Sequence, residues 1–243
     1  MNDTVHHNRE TVPPTRWQQL EIPYEDGTGI SHLYPVLLWG SRDLVLVDCG
    51  YPETLPALET AMLHAGVSPE QLTILLLTHQ DDDHMGAAAA LKRAYPHIKI
   101  AASSAEAPYI SGQKKNLRLA QAEEMQSTLP EEAQDFGLAF CARLRALEPV
   151  TVDEIVYPGQ EFDWGGGCQI LDTTGHTPGH LSLFLPHADL CITGDGAVEE
   201  NGMLSLANPQ FCLDLPQAER SLARLLALPC RQFQCYHTGL FRR

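Results

Sequence analysis

The sequence predicts a layered α/β fold, and three observations carry that prediction. Short apolar runs of strand length occur in both halves of the chain; the six residues 72–77, Leu-Thr-Ile-Leu-Leu-Leu, read as a strand buried on both faces. Each half follows the same plan, strands first and helices after, although no sequence repeat links the two. Four of the strands end in His or Asp, and strand ends are where the loops of a layered α/β fold converge on a site. The chain has 243 residues, enough for one large or two small domains, and its 44% hydrophobic content supplies a full core.

Taken in order, residues 1–16 are polar, contain Pro13-Pro14 and read as a flexible arm, with His6-His7 as solvated tail residues. Residues 17–23, 33–39 and 43–47 read as strands, the last two joined by a Gly40-Ser-Arg42 turn. Residues 52–65 read as a helix closed by Gly66, and 72–77 as the next strand. A helix over 83–95 and a strand over 97–102 follow. Residues 103–148 hold no strand-like run. Their composition predicts an inserted pair of helices, 104–110 and 115–147, the second broken near Pro130 and Gly137. Strands return over 154–157, 167–171, 181–185 and 190–193, an amphipathic helix over 215–228, and a last strand over 232–236. The domain is therefore expected to be single, spanning 17–243 with the insertion inside it.

The chemistry concentrates after the strand 72–77, where His79, Asp81, Asp82, Asp83 and His84 crowd into six consecutive positions. So dense a cluster at the end of a buried strand is costly unless a cation neutralises it. The helix that follows carries these carboxylates at its N-terminus, where its dipole favours negative charge. The strand 167–171 leads into a Gly/Pro-rich turn with His176 and His180, the strand 190–193 ends in Gly194-Asp195, and the last strand ends in His237. Asp48, at the end of the strand 43–47, is expected to cap or orient neighbours.

The net charge of −15 argues against nucleic acid and anionic membranes, because phosphate binding needs a basic stripe. No run of 18 apolar residues exists, so no membrane span is expected, and the N-terminus shows no apolar segment of a signal peptide. Seven cysteines, odd in number and without a Cys-x-x-Cys pair, point to reduced thiols and a cytoplasmic setting. Cys49 and Cys235 adjoin the candidate site and read as buried structural thiols.

His79-x-Asp81-x-Asp83-His84, Gly175-His176-Thr-Pro-Gly-His180, Thr193-Gly-Asp195 and His237, in that order, resemble the metallo-β-lactamase superfamily, and Val47-Asp48-Cys49-Gly50 is similar to its Asp-Thr-Gly element. The likeness covers about residues 17–240, essentially the whole domain. It implies a four-layer αββα sandwich with ligands for two divalent metal ions along one edge. By that resemblance His79, Asp81 and His176 would hold the first ion, Asp83, His84 and His237 the second, and Asp195 would bridge both. His180 and Asp48 would fix ligand tautomers from behind. One departure stands out: the family usually has His where this chain has Asp81. A harder oxygen ligand shifts preference from zinc, the usual metal of the family, towards manganese or iron. Asp82 lies outside the pattern and is expected to be solvated or to bond to the ligands.

The resemblance implies a hydrolase. Two cations about 3.5 Å apart would share a bridging hydroxide that attacks a carbonyl or phosphorus centre, and Asp83 would pass the proton to the leaving group. The favoured substrate is a small ester-like molecule, a lactone or a glutathione-type thioester. A diiron redox or oxygen-handling protein and a phosphodiesterase are the rival readings. The insertion is expected to cover the substrate pocket, with Tyr109, Lys114, Lys115 and Arg118 as contacts to an anionic substrate. A helix kept soluble by those same residues is the plainer alternative. A homodimer stays open as an assembly.

Overall fold

Both faces of the segment Leu44–Val47 are apolar, and both are buried. Leu44 and Leu46 pack under helices, while Val45 and Val47 face a second sheet. That double burial defines the layering of the molecule, seen in a computed structural model that describes residues 16–25, 27 and 29–243. Apart from Arg16, the arm expected over 1–16 lies outside the described residues.

The chain begins with β1 (Trp17–Gln19), β2 (Ile22–Glu25), β3 (Ile30–Leu33), β4 (Val36–Trp39) and β5 (Leu44–Val47). Next come α1 (Leu55–His64), β6 (Ile74–Leu76), α2 (Asp82–Met85), α3 (Ala88–Ala94) and β7 (Lys99–Ser103). The helices α4 (Ala107–Ile110), α5 (Leu117–Gln126) and α6 (Gln134–Ala146) form the insertion. The second half holds β8 (Glu154–Val156), β9 (Glu161–Phe162), β10 (Cys168–Asp172), β11 (Leu181–Leu185), β12 (Leu190–Gly194), β13 (Val198–Glu200) and β14 (Met203–Ser205). It closes with α7 (Leu215–Leu226), β15 (Gln232–Cys235) and β16 (Gly239–Arg242).

One sheet runs β1-β4-β5-β6-β7-β8 and the other β16-β15-β12-β11-β10-β9. From β5 to β8 the first sheet is parallel; the second is antiparallel except for the pair β12 and β15. Val36, Leu38, Ile74 and Leu76 meet Ile170, Leu183, Leu185 and Ile192 between the sheets. Leu58 and Met62 of α1 and Leu91 of α3 cover the outside of the first sheet. Leu222 and Leu225 of α7 cover the second, against Phe233. The result is the αββα sandwich, with Leu119, Ala122, Cys141 and Leu144 joining α5 to α6 as a small core of their own.

Several elements differ from the sequence reading, each for a local reason. The expected strands 17–23 and 33–39 are each split in two. Pro35 lacks an N–H for a ladder, so β3 and β4 part around it and β2–β3 form a separate two-stranded ribbon. The helix expected over 83–95 is interrupted between α2 and α3. There Gly86 lies so close to Pro52 and the Asp82 carbonyl that a Cβ would not fit. Ser103 belongs to β7, so the insertion starts after it. The break near Pro130 is present, but α6 runs straight through Gly137. That glycine lets α6 approach α5, because a Cβ there would strike Gln126 and Leu129. The hairpin β13–β14 turns on Asn201-Gly202, both with positive φ (53° and 79°), a turn signal that the short flanking strands obscured.

Candidate metal centre

The apolar run of β6 ends at Thr78, whose backbone N–H donates to Asp48 Oδ1 at 2.8 Å and whose hydroxyl donates to Oδ2 at 2.8 Å. Asp48 sits at φ 60°, a left-handed conformation that Asp tolerates, and from there its Oδ2 accepts from Nδ1 of His84 at 2.9 Å. A histidine held through Nδ1 presents Nε2 to the other side. His84 lies on α2, so the strand end and the first helical turn together aim His79, Asp81, Asp83 and His84 at one point.

The loops of the second sheet bring the remaining residues there. Nε2 of His84 and Nε2 of His237 each lie 3.1 Å from Asp195 Oδ1. Asp195 Oδ2 lies 3.3 Å from Nε2 of His176. Asp83 Oδ2 is 3.3 Å from Nε2 of His237. Asp81 Oδ2 is 3.1 Å from Nε2 of His176 and 3.4 Å from Nε2 of His79. Two groups emerge, each with its donor atoms within 4.8 Å of one another: His79, His176 and Asp195, and Asp83, His84 and His237. Asp195 faces both groups, one oxygen towards each. The seven residues that the resemblance assigns to the metals therefore lie together.

The electrostatics of this cluster ask for positive charge. Nε2 of His79, Nε2 of His84, Asp81 Oδ1 and Asp195 Oδ1 are buried without a hydrogen-bond partner. Orphaned buried acceptors of this kind are expensive, and metal ions satisfy them. Burial pulls the His84 pKa down, yet Asp195, Asp83 and Asp48 outweigh it and raise it well above an ordinary imidazole. Burial likewise lowers that of His176, but Asp195 and Asp81 drive it up to about 10. The donor set of imidazoles and carboxylates fits two divalent ions.

His180 lies behind the cluster, buried. Its Nε2 accepts the backbone N–H of Asp195 at 2.9 Å, and its Nδ1 meets the Thr173 hydroxyl at 2.9 Å. Burial, with His79 and His176 nearby, depresses its pKa well below the usual range, so it stays neutral and able to accept. Asp82 is not solvated: it is buried, ion-paired with Arg143 at 2.9 Å, and pushed up to about 7 by burial and by Asp83.

The insertion residues fall in different places. Arg118 is buried, with Nη2 2.5 Å from Asp81 Oδ2. Lys115 pairs with Glu123 on the exposed side, and Lys114 lies 5.4 Å over the Tyr109 ring. Tyr109, Lys114 and Lys115 stand outside the walls of the cavity that opens over the cluster. That cavity, about 530 Å³, has Asp81, Asp83, His176, Asp195 and His237 in its walls. Met125, Leu129, Phe136, Phe140 and Phe211 line much of the rest. The guanidiniums among its walls belong to Arg118 and Arg143, and each is already paired with a carboxylate.

Three supporting residues had no role in the sequence reading. Tyr236 packs over His84 with ring centres 4.0 Å apart. Its hydroxyl donates to the Asp83 carbonyl at 2.7 Å and accepts from Gly50 N–H at 3.0 Å. Glu106 is fully buried and accepts from the backbone N–H groups of Gln80 (3.1 Å) and Gly179 (2.7 Å), tying together the two loops that carry most of the ligand-type residues. Arg143 holds Asp82 from α6. Adjacency to His237 was the only signal for Tyr236; nothing along the chain marked Glu106 or Arg143.

A family model described as the metallo-beta-lactamase superfamily matches residues 34–237. The chain is 26% identical over 163 residues to the probable metallo-hydrolase YflN of Bacillus subtilis, covering 65% of this chain and 56% of that protein. It is 29% identical over 132 residues to the hydroxyacylglutathione hydrolase GloC of Haemophilus influenzae, covering 51% and 49%. The matched region thus spans about half the length of these two relatives. Among solved structures, the metallo-beta-lactamase family protein TTHA1429 of Thermus thermophilus superposes with a TM-score of 0.68 at 22% identity, covering 93% of this chain and 74% of that one, a likeness of fold. Among the described residues no helix is long and apolar enough to cross a membrane.

Proposed function

The chain belongs to the metallo-β-lactamase superfamily, and on that premise we propose that it is a binuclear metal-dependent hydrolase of a small, neutral ester-like molecule, a lactone or thioester with an apolar acyl or aryl group. The observation that carries this reading is two groups of ligand-type residues, joined through Asp195, in the wall of a largely apolar cavity. In this reading His79, Asp81 and His176 hold one divalent ion, Asp83, His84 and His237 the other, and Asp195 both.

Two bound divalent ions would supply an activated water and polarise the substrate carbonyl. The chain's own groups do the rest. Asp48 keeps the His84 proton on Nδ1, and His180 fixes the Asp195 backbone. Asp83 Oδ2, beside His237 in the cavity wall, is placed to carry a proton to the leaving group. Phe136, Phe140, Met125 and Leu129 take the apolar part of the substrate and exclude water from it.

The cavity argues against an anionic substrate, because its guanidiniums are already paired. The glutathione conjugates named for the Haemophilus relative are therefore a poorer fit than neutral acyl groups. The test is a series of lactones and acyl thioesters of increasing chain length, assayed with metal-loaded protein. Each methylene buried adds about 0.8 kcal/mol, so kcat/KM should rise about fourfold per methylene until the cavity is full. A flat series, or a phosphodiester as the best substrate, would overturn this reading.

A further inference from the structure

The cluster at the first metal position contains a carboxylate and, pressed against it, a guanidinium. Helix α5 is docked there by its own N-terminus: Asn116 Nδ2 donates to the Gln80 carbonyl at 3.2 Å, and Leu117 N–H donates to Gln80 Oε1 at 2.9 Å. In the first turn of the helix, Arg118 reaches Asp81 Oδ2 with Nη2 at 2.5 Å and with Nε at 3.1 Å. Its Nη1 donates to the Phe211 carbonyl at 2.5 Å and to Gln121, and the guanidinium packs 5.1 Å from the centre of the Phe211 ring. Nη2 is also 3.1 Å from Nε2 of His176. Both partners are buried, Arg118 at 4% and Asp81 at 6% exposure. A side chain held from several directions in this way does not serve helix solubility.

We propose that Asp81 and Arg118 act as one charge-neutral unit that does the work of a histidine at the first metal position. The inference rests on the binuclear reading above. The negative charge that Asp81 brings to this set is cancelled by a guanidinium bonded to one of its oxygens. The set His79, Asp81 and His176 then has the net charge of three neutral imidazoles. Two consequences follow. The preference for hard metals that an unpaired carboxylate would impose is weakened. Placing a histidine at position 81 alone is harmful, because Arg118 is left as a buried cation without its carboxylate, beside a dication.

The test is metal binding by the metal-stripped full-length chain, followed by titration calorimetry with zinc and by elemental analysis after dialysis. Wild type should retain two equivalents. Asp81→His should retain one, with the first position weakened about a hundredfold or more, the order that stranding one partner of a buried ion pair costs. The double variant Asp81→His/Arg118→Met should again hold two, with first-position affinity within about tenfold of wild type. Arg118→Met alone, which frees the carboxylate for the metal, should tighten that position at least tenfold. Circular dichroism establishes that each variant is folded; if Asp81→His is not, Arg118→Met decides. The proposal is overturned if Asp81→His keeps both equivalents at wild-type affinity, if the double variant is no better than the single one, or if Arg118→Met binds no tighter than wild type. Wild type holding fewer than two equivalents would instead remove the binuclear reading, and the unit with it.

Discussion

Replacing Asp48 by Asn exchanges one oxygen for an NH2 group and should move a proton from one side of the His84 imidazole to the other. Asp48 Oδ1 accepts the Thr78 backbone N–H at 2.8 Å, a donor that cannot be rotated or exchanged. The new amide must therefore place its oxygen there, which turns its NH2 towards His84 Nδ1, where the carboxylate oxygen had accepted at 2.9 Å. Two donors cannot share that contact. His84 must then accept at Nδ1 and carry its proton on Nε2, the nitrogen that faces Asp195 and Asp83. A protonated Nε2 cannot ligate. The alternative tautomer leaves the amide or the imidazole N–H unsatisfied in a buried site, at about 1–3 kcal/mol. Losing a partner behind a ligating histidine typically weakens metal binding about 10–100-fold, which is about 1.4–2.8 kcal/mol and agrees with that cost.

The fold should survive, since an asparagine accepts the φ of 60° at this position. Competition titration against a chromophoric chelator reads the affinity. Nitrogen-15 shifts of the His84 ring, recorded on the zinc-loaded protein, read which nitrogen carries the proton. If Asp48→Asn binds the second metal as tightly as wild type while the imidazole proton stays on Nδ1, the orienting role assigned to Asp48 is wrong.

Three further outcomes are expected. Burial pushes the Glu106 carboxyl from an ordinary 4.5 up to about 7, so the folded chain holds this proton more tightly than the unfolded one. Its contribution is fully present below about pH 4.5 and is lost as pH rises through about 7, by up to about 3 kcal/mol. Urea unfolding in chelator should show that loss in wild type and not in Glu106→Gln; parallel pH curves for the two would refute it. Phe140→Ala should lower kcat/KM about tenfold or more for the longest acyl substrate and little for the shortest, since only the longer chain reaches that ring. Lys114→Ala/Lys115→Ala, outside the cavity, should leave both values unchanged, and a rise in KM for that double variant would put the substrate elsewhere.

What the sequence made legible was whatever depends on neighbours along the chain. The run ending in His79, Asp81, Asp83 and His84 declares itself because an apolar strand and a block of ionisable groups adjoin. The turn holding His176 and His180 declares itself through its glycines and proline. The layering followed from β5 and β6, whose apolar residues leave no face for water. Arg118 was legible as a residue but not as a partner of Asp81, since its neighbours, Asp81 and Phe211, lie 37 and 93 positions away. Helix periodicity places an arginine on a face of α5 without saying what that face meets. Glu106 was hidden in the same way, for a glutamate near a helix start already has a local explanation in the helix dipole. Gly137 misled because glycine in a helix has two physical uses, ending it or admitting a close neighbour, and only the packing of α5 on α6 decides between them. The pattern has a chemical consequence. The ligand-type residues sit on short-range motifs at strand ends, whereas three of the groups that set their charge and orientation — Arg118, Glu106 and Arg143 — come from the insertion between β7 and β8. Changes in that insertion would therefore retune the metal site as well as the cavity above it, while leaving every motif residue in place.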